Sequence, residues 1–145
     1  MNWLAHLAAG LIIGKFTGNY WAAISVSILI DLDHLIGLVR HKIIFNPKRF
    51  WRIHNDYTHP LNNQRHFMHS IFSLIILTGI VAFFDPKSGL AVFLAYTVHL
   101  LMDLVNGGEN RIFYPFKFKL KRSIPYMSKK EILFTMMLLT FFWLL

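Results

Sequence analysis

Apolar and polar positions in this chain fall into long blocks rather than a residue-by-residue alternation. Five apolar stretches stand out, at Trp3–Phe16, Tyr20–Val39, Phe67–Phe84, Gly89–Val105 and Ile132–Leu145. Blocks of this kind predict helices. About 20 apolar residues at ~1.5 Å rise are needed to cross a ~30 Å hydrocarbon core. The second stretch has that length, the third and fourth sit near the threshold, and the first and last fall short of it. Lys15-Phe16-Thr17-Gly18-Asn19 and Asp85-Pro86-Lys87-Ser88 read as tight turns between helices, because Gly and Pro end regular structure. The pattern predicts an all-α fold, a polytopic membrane helical bundle of about four or five hydrophobic helices. With 145 residues there is room for a single integral-membrane domain over 1–145.

Composition supports lipid as the surroundings. The chain is 55% hydrophobic and 15% charged, with a mean hydropathy of +0.46, and a soluble domain of this size needs more polar surface than that. Without cysteine, disulfides and thiolate ligands are excluded. The first residues, Met1-Asn2-Trp3-Leu4, lack the basic start of a secretory signal and read as mature structure.

The net charge of +8 is placed unevenly. Residues 40–66 hold six Lys/Arg against Asp56, and residues 106–130 hold seven against Glu109, which leaves only Lys15 and Lys87 for the two tight turns. The positive-inside rule therefore predicts both long loops in the cytoplasm and both short turns outside, a multi-pass arrangement in the inner (cytoplasmic) membrane. The bilayer is the expected partner of these basic loops. Their aromatics (Phe45, Phe50, Trp51, Tyr57; Phe113, Tyr114, Phe116, Phe118) fit an interfacial belt, and no nucleic acid is expected.

Against this apolar background, ionisable residues inside or at the ends of the apolar stretches mark a site, since each carries an insertion cost on the order of 2.5–3.5 kcal/mol. They are His6, Asp31, Asp33, His34, His69, His99 and Asp103. His99 and Asp103, at i and i+4, share a helix face; so do Asp31 and His34 at i and i+3. His66, His69, Ser70 and Ser73 form a polar stripe, and His6 shares a face with Gly10 and Gly14, whose small size admits a close neighbouring helix. The predicted topology delivers all of these to one membrane level on the cytoplasmic side. A divalent cation offsets the burial of carboxylates and takes neutral imidazoles beside them. The candidate metal ligands are His6, Asp31, His34, His66, His69, His99 and Asp103, and carboxylates with imidazoles suit one or two ions of Zn, Mn or Fe. Asp33 is expected as a general base or a bridging ligand. Arg65 is the expected catalytic partner of an anionic group on the substrate. His41, His54 and His59 read as solvated loop residues.

Asp31-Leu32-Asp33-His34, then Arg65-His66-Phe67-Met68-His69-Ser70, then His99-Leu100-Leu101-Met102-Asp103, with Gly107-Gly108 and Tyr114-Pro115-Phe116, resemble the LexA-regulated, membrane-bound metal-dependent hydrolases (YdjM-type inner-membrane proteins). His6 ahead of Gly10 is similar to that family as well. Ile30 stands where the family usually has Pro, Gln64 where it has His, and Met68 where Thr is common. The resemblance implies a metal-dependent hydrolase and specifies no substrate; headgroup depth and basic loops point to a small-molecule phosphoester or a lipid. Two other classes stay open, a metal-ion or proton transporter lined by the same His and Asp, and a non-catalytic membrane protein with a vestigial metal site. The outer halves of the predicted spans, almost wholly apolar, argue against a through-path.

Overall fold

The computed structural model describes residues 2–55, 67–105, 112–114, 116 and 128–145, with backbone only at 33–35, 37, 54 and 55. All regular structure among the described residues is helical. The helices are α1 (Trp3–Thr17), α2 (Tyr20–Leu29), α3 (Leu32–Arg40), α4 (Pro47–Asn55), α5 (Ile71–Phe84), α6 (Pro86–Val105) and α7 (Lys129–Leu144), with a 3₁₀ turn at Phe67–His69 before α5.

Local chemistry sets the helix ends. Asn2 caps α1 by accepting the Ala5 N–H at 2.8 Å. Gly18, at φ 69°, takes the left-handed conformation that stops α1 without a Cβ penalty. Asn19 then caps α2 by accepting the Ala22 N–H at 3.1 Å. At the second tight turn the Asp85 carboxylate accepts the N–H groups of Lys87 and Ser88 at 3.1 and 3.2 Å. Pro86 opens α6, a position whose N–H would have no helical partner in any case. Helix α3 closes with a Schellman pair, Lys42 N–H to Val39 O and Ile43 N–H to Leu38 O. Lys42 takes φ 54° there and Ile43 is fully buried.

Two expected boundaries are corrected. The stretch Tyr20–Val39 is two helices rather than one: α2 ends at Leu29 and a tight i→i−3 bond from the Asp31 N–H to Ile28 O, at 3.1 Å, breaks the run. Hydropathy does not register this break, because the cause is tertiary: Asp31 is drawn to imidazoles on other elements. The stretch from Phe67 begins as a 3₁₀ turn, and Ser70 caps α5 by accepting the Ser73 N–H at 3.2 Å while donating to Phe67 O at 2.6 Å. His69 thus precedes the helix instead of lying on its face, and Ser70 is a cap rather than part of a polar stripe.

Helix α6 is the hub, packed by α1, α2 and α5, with α1 also against α2 and α7. The shared core is Ile13, Ala23, Val26, Leu74, Val92, Ala95, Tyr96 and Leu100. Glycines permit the closest approaches. A Cβ on Gly10 would lie 2.8 Å from Ser27 Oγ, and one on Gly89 would lie 2.4 Å from Ala82 Cβ. Asn2 and Thr135 meet at one end of the α1–α7 pair, and Lys15 lies 5.4 Å above the Phe142 ring at the other, so these two helices run parallel.

The polarity is inverted relative to a water-soluble core. Trp21, Ile75, Ile80, Phe83, Phe84, Leu90, Met136 and Met137 face outward, while His6, His69, His99, Asp103 and Glu131 are buried. Helix α6, 20 residues, is long and apolar enough to cross a bilayer; α1, α2 and α5 are shorter apolar helices of 15, 10 and 14 residues.

Candidate metal centre

The start of α1, the end of α2, the 3₁₀ turn and the last turns of α6 all lie at one end of the bundle, and each delivers an ionisable side chain there. Asp103 is the centre of the group. Its Oδ1 lies 3.3 Å from His6 Nε2, and its Oδ2 lies 3.2 Å from His69 Nε2 and 3.7 Å from His99 Nε2. Asp31 Oδ1 lies 3.5 Å from both His69 Nε2 and His99 Nε2. The imidazoles of His6 and His99 stack at 3.8 Å between centroids, and His69 meets His99 edge-on at 5.4 Å.

The orientation of His99 is set by the main chain. Its Nδ1 lies 3.0 Å from Ser27 O. A carbonyl only accepts, so Nδ1 carries a hydrogen and Nε2 is turned toward the carboxylates. This is the outer hydrogen bond typical of a ligating histidine. Lone pairs aimed at carboxylate oxygens repel unless a positive charge lies between them. The separations of 3.2–3.7 Å bracket the ~3.3 Å edge of a tetrahedron with ~2.05 Å ligand bonds.

The donor set therefore fits a divalent cation. His6, Asp31, His99 and Asp103 each offer a ligand atom within 4.8 Å of the others, and His69 reaches both carboxylates. Because Asp103 presents different oxygens to different histidines, the group accommodates one ion or a bridged pair. A small cavity of about 10 Å³ lies alongside, lined by His69, Leu100, Asp103, Leu104 and Ile112. It is about the size of one water. The cluster is sealed except at Asp31, whose side chain is 25% exposed against 3% or less for its four partners.

Of the residues singled out from the sequence, His6, Asp31, His69, His99 and Asp103 are brought together. At 3.7 Å the i,i+4 pair His99–Asp103 is the longest of these ion-pair contacts; both residues have closer partners on other elements. The side chains of Asp33 and His34 on α3, and Arg65, His66 and Gln64, lie outside the described residues, as do those of His54 and His59. His41 is exposed, as expected.

Sequence reasoning missed two supports. The Ser27 carbonyl carries no side-chain signature at all. The other is a buried staple: Glu131 Oε1 accepts the Asn2 N–H at 2.6 Å and Asn2 Nδ2 donates to Thr135 Oγ1 at 3.3 Å, holding the start of α1 against α7 one turn from His6. Its signal was present as the Ser128-x-x-Glu131 capping pattern, with the Glu131 N–H bound by Ser128 Oγ at 3.3 Å. The Glu131 side chain reaches across to α1 instead of only back to its own helix.

No curated protein and no solved structure matches the chain. With an apolar exterior, a buried His/Asp group at one end of the bundle and a sequence match over residues 1–145, this chain belongs to the YdjM inner membrane protein family.

Proposed function

We infer that this chain is a multi-pass, metal-dependent hydrolase forming a single integral-membrane domain over residues 1–145, with its centre at the cytoplasmic face of the inner membrane. The observation that carries the reading is the spacing of the three imidazole Nε2 atoms from two carboxylates at 3.2–3.7 Å, set within apolar surroundings. His6, Asp31, His69, His99 and Asp103 would hold the ion. When bound, a divalent ion supplies Lewis acidity and a water of lowered pKa.

The remaining work falls to the chain itself. Ser27 O orients His99, Leu100, Leu104 and Ile112 limit water beside the group, and Asp31 forms the open edge at which a substrate enters. Asp33 serves as general base or bridging ligand, His34 and His66 add donors, and Arg65 receives an anionic group of the substrate. The core on the far side of the cluster (Ile13, Ala23, Val26, Leu74, Val92) is apolar. It favours a site that faces one side over a transport path.

Metal analysis of the detergent-purified protein should find about one or two divalent ions per chain. A metal-supplemented screen over phosphoester, lipid and amide substrates should show turnover that the Asp103→Ala variant lacks. Absence of metal above background in the unmodified protein would overturn the reading. For the topology, single cysteines at Arg49 and Lys121, in a chain otherwise free of cysteine, should both label from the cytoplasm.

A further inference from the structure

The segment that follows α3 carries cations where the backbone disfavours them. Lys42 stands at φ 54° in the Schellman turn, a place that Gly or Asn takes more easily. A residue held in that conformation calls for a reason beyond the local chain. Lys48 and Arg49 lie in the first turn of α4, at the positive end of the helix dipole, with no acidic residue beside them. The N–H groups of that turn are already served. Asn46 Oδ1 accepts the Arg49 N–H at 3.1 Å, and Asn46 O accepts the Phe50 N–H at 2.8 Å. What this turn offers outward is therefore its side chains, not its helix end. Arg40 differs, since it closes α3 at the negative end and is favoured there.

Lys42, Lys48, Arg49 and Arg52 are all exposed. Residues 40–55 contain no Asp or Glu, and none of the four cations forms an ion pair with a described residue. Their counter-charge has to come from outside the chain. Large apolar side chains stand exposed among them: Ile44, Phe45 at 77% and Trp51 at 60%. Ile43 and Ile53 are buried and pin the segment at both ends. In helical projection Trp51, Lys48 and Arg52 share an arc of roughly 100° turned away from Ile53. At nine residues α4 is about 14 Å long, too short to cross a ~30 Å hydrocarbon core. Cations without partners, interleaved with exposed apolar side chains on a short helix, suit the boundary between headgroups and acyl chains. An aliphatic side chain such as Ile44 stacks on no base, which favours lipid over nucleic acid.

We propose that residues 42–53 bind the anionic phospholipids of the surrounding leaflet. Lys42, Lys48, Arg49 and Arg52 take the lipid phosphates, and Ile44, Phe45 and Trp51 enter about 5–10 Å into the acyl boundary. The proposal is independent of the chemistry at the cluster, so metal-free protein should bind lipid in the same way.

The test uses the full chain in mixed phosphatidylglycerol–phosphatidylcholine nanodiscs of fixed composition. A fluorophore is attached at Phe45→Cys, in a chain otherwise free of cysteine. Quenching by phosphatidylglycerol with brominated acyl chains is compared with quenching by phosphatidylcholine carrying the same chains. The preference for phosphatidylglycerol at position 45 should be at least about fivefold, the factor that one near-surface cation contributes. It should vanish near 1 M salt, where the Debye length falls to about 3 Å, and when Lys48→Gln, Arg49→Gln and Arg52→Gln are combined. The combined variant should keep the metal content and unfolding temperature of the unmodified protein; if it does not fold, the salt arm decides alone. A label at Phe83→Cys, exposed at the opposite end of the bundle, should show no preference. Equal quenching by both lipids at position 45, or a preference undiminished by salt or by the folded variant, would overturn the proposal. So would a label that neither lipid quenches and added RNA shields, which would assign the surface to nucleic acid.

Discussion

The two ends of this helical bundle are built on opposite principles. At the turn end, Gly18-Asn19 and Asp85-Pro86 close neighbouring helices with capping bonds between residues within three positions in sequence, and a single bond from Asn19 to Ser88 ties the two turns together. At the site end, the decisive contacts join residues from 34 to 97 positions apart, such as Asp103 to His69 and to His6. Regular structure yields to these contacts: α2 stops at Leu29, and a 3₁₀ turn precedes α5. One end is held by the chain's own geometry, the other by groups that need a shared charge. Disturbing the first should therefore cost stability alone, and disturbing the second should cost metal.

The largest effect is expected from Asp103→Ala, which removes the carboxylate that meets three imidazoles. Metal affinity should fall by at least about 100-fold, beyond the 10–100-fold that outer partners typically contribute, with membrane insertion retained. Equilibrium dialysis against a divalent ion and membrane fractionation read the two halves of this expectation. Full metal retention would show the ligand set to be wrong.

A matched pair of glycine variants separates the ends directly. Gly10→Val forces a side chain against Ser27, and Gly89→Val forces one against Ala82. Both should lower stability by about 1–3 kcal/mol, the usual cost of overpacking, in thermal unfolding followed in detergent. Only Gly10→Val should also weaken metal binding, since it pushes aside the segment whose carbonyl orients His99. Equal metal loss in both would erase the distinction between the ends.

A smaller effect is expected from Asn19→Ala, which removes the α2 cap and the bond to Ser88. It should cost about 1 kcal/mol, visible in the unfolding temperature, at unchanged metal content.

The smallest concerns Asp85. The Ser88 hydroxyl, ahead of the Lys87 and Ser88 N–H groups, holds this exposed carboxyl below its ordinary value of 3.8. A lowered carboxyl contributes stability above its unfolded value and loses it as pH falls through the folded one. Unfolding temperatures of the unmodified protein and Asp85→Asn should therefore run parallel from neutral pH to about pH 5 and converge below about pH 4. A convergence on the alkaline side would reverse the sign.

This same contrast explains what was legible in the sequence. Apolar blocks reveal where helices lie, because burial in lipid or protein is a property of each residue; α1, α6 and α7 follow from them within a few positions. Turn chemistry is equally local, so Gly18 and Asp85-Pro86 could be read directly. The buried His and Asp were conspicuous because they are costly where they stand. Their partners were not: i,i+4 spacing pairs His99 with Asp103, yet Asp103 lies closer to His6 and His69. The break at Ile30-Asp31 escaped for the same reason, since a hydropathy pattern records solvent preference and carries no record of what a carboxylate reaches across the bundle. Glu131 stands just ahead of the last apolar block, where nothing in the local pattern marks the buried contact with Asn2 that ties α7 to α1.

The oxygen that orients His99 belongs to the main chain of residue 27. Genetic drift at that codon can therefore exchange the hydroxymethyl side chain for a hydrogen or a methyl group and leave the imidazole's orientation untouched. What such drift cannot tolerate is bulk, because Gly10 leaves no room opposite. A deep substitution scan should accordingly find position 27 permissive for Gly and Ala and closed to every branched or aromatic residue, a tolerance governed by size where the neighbouring ligands are governed by charge.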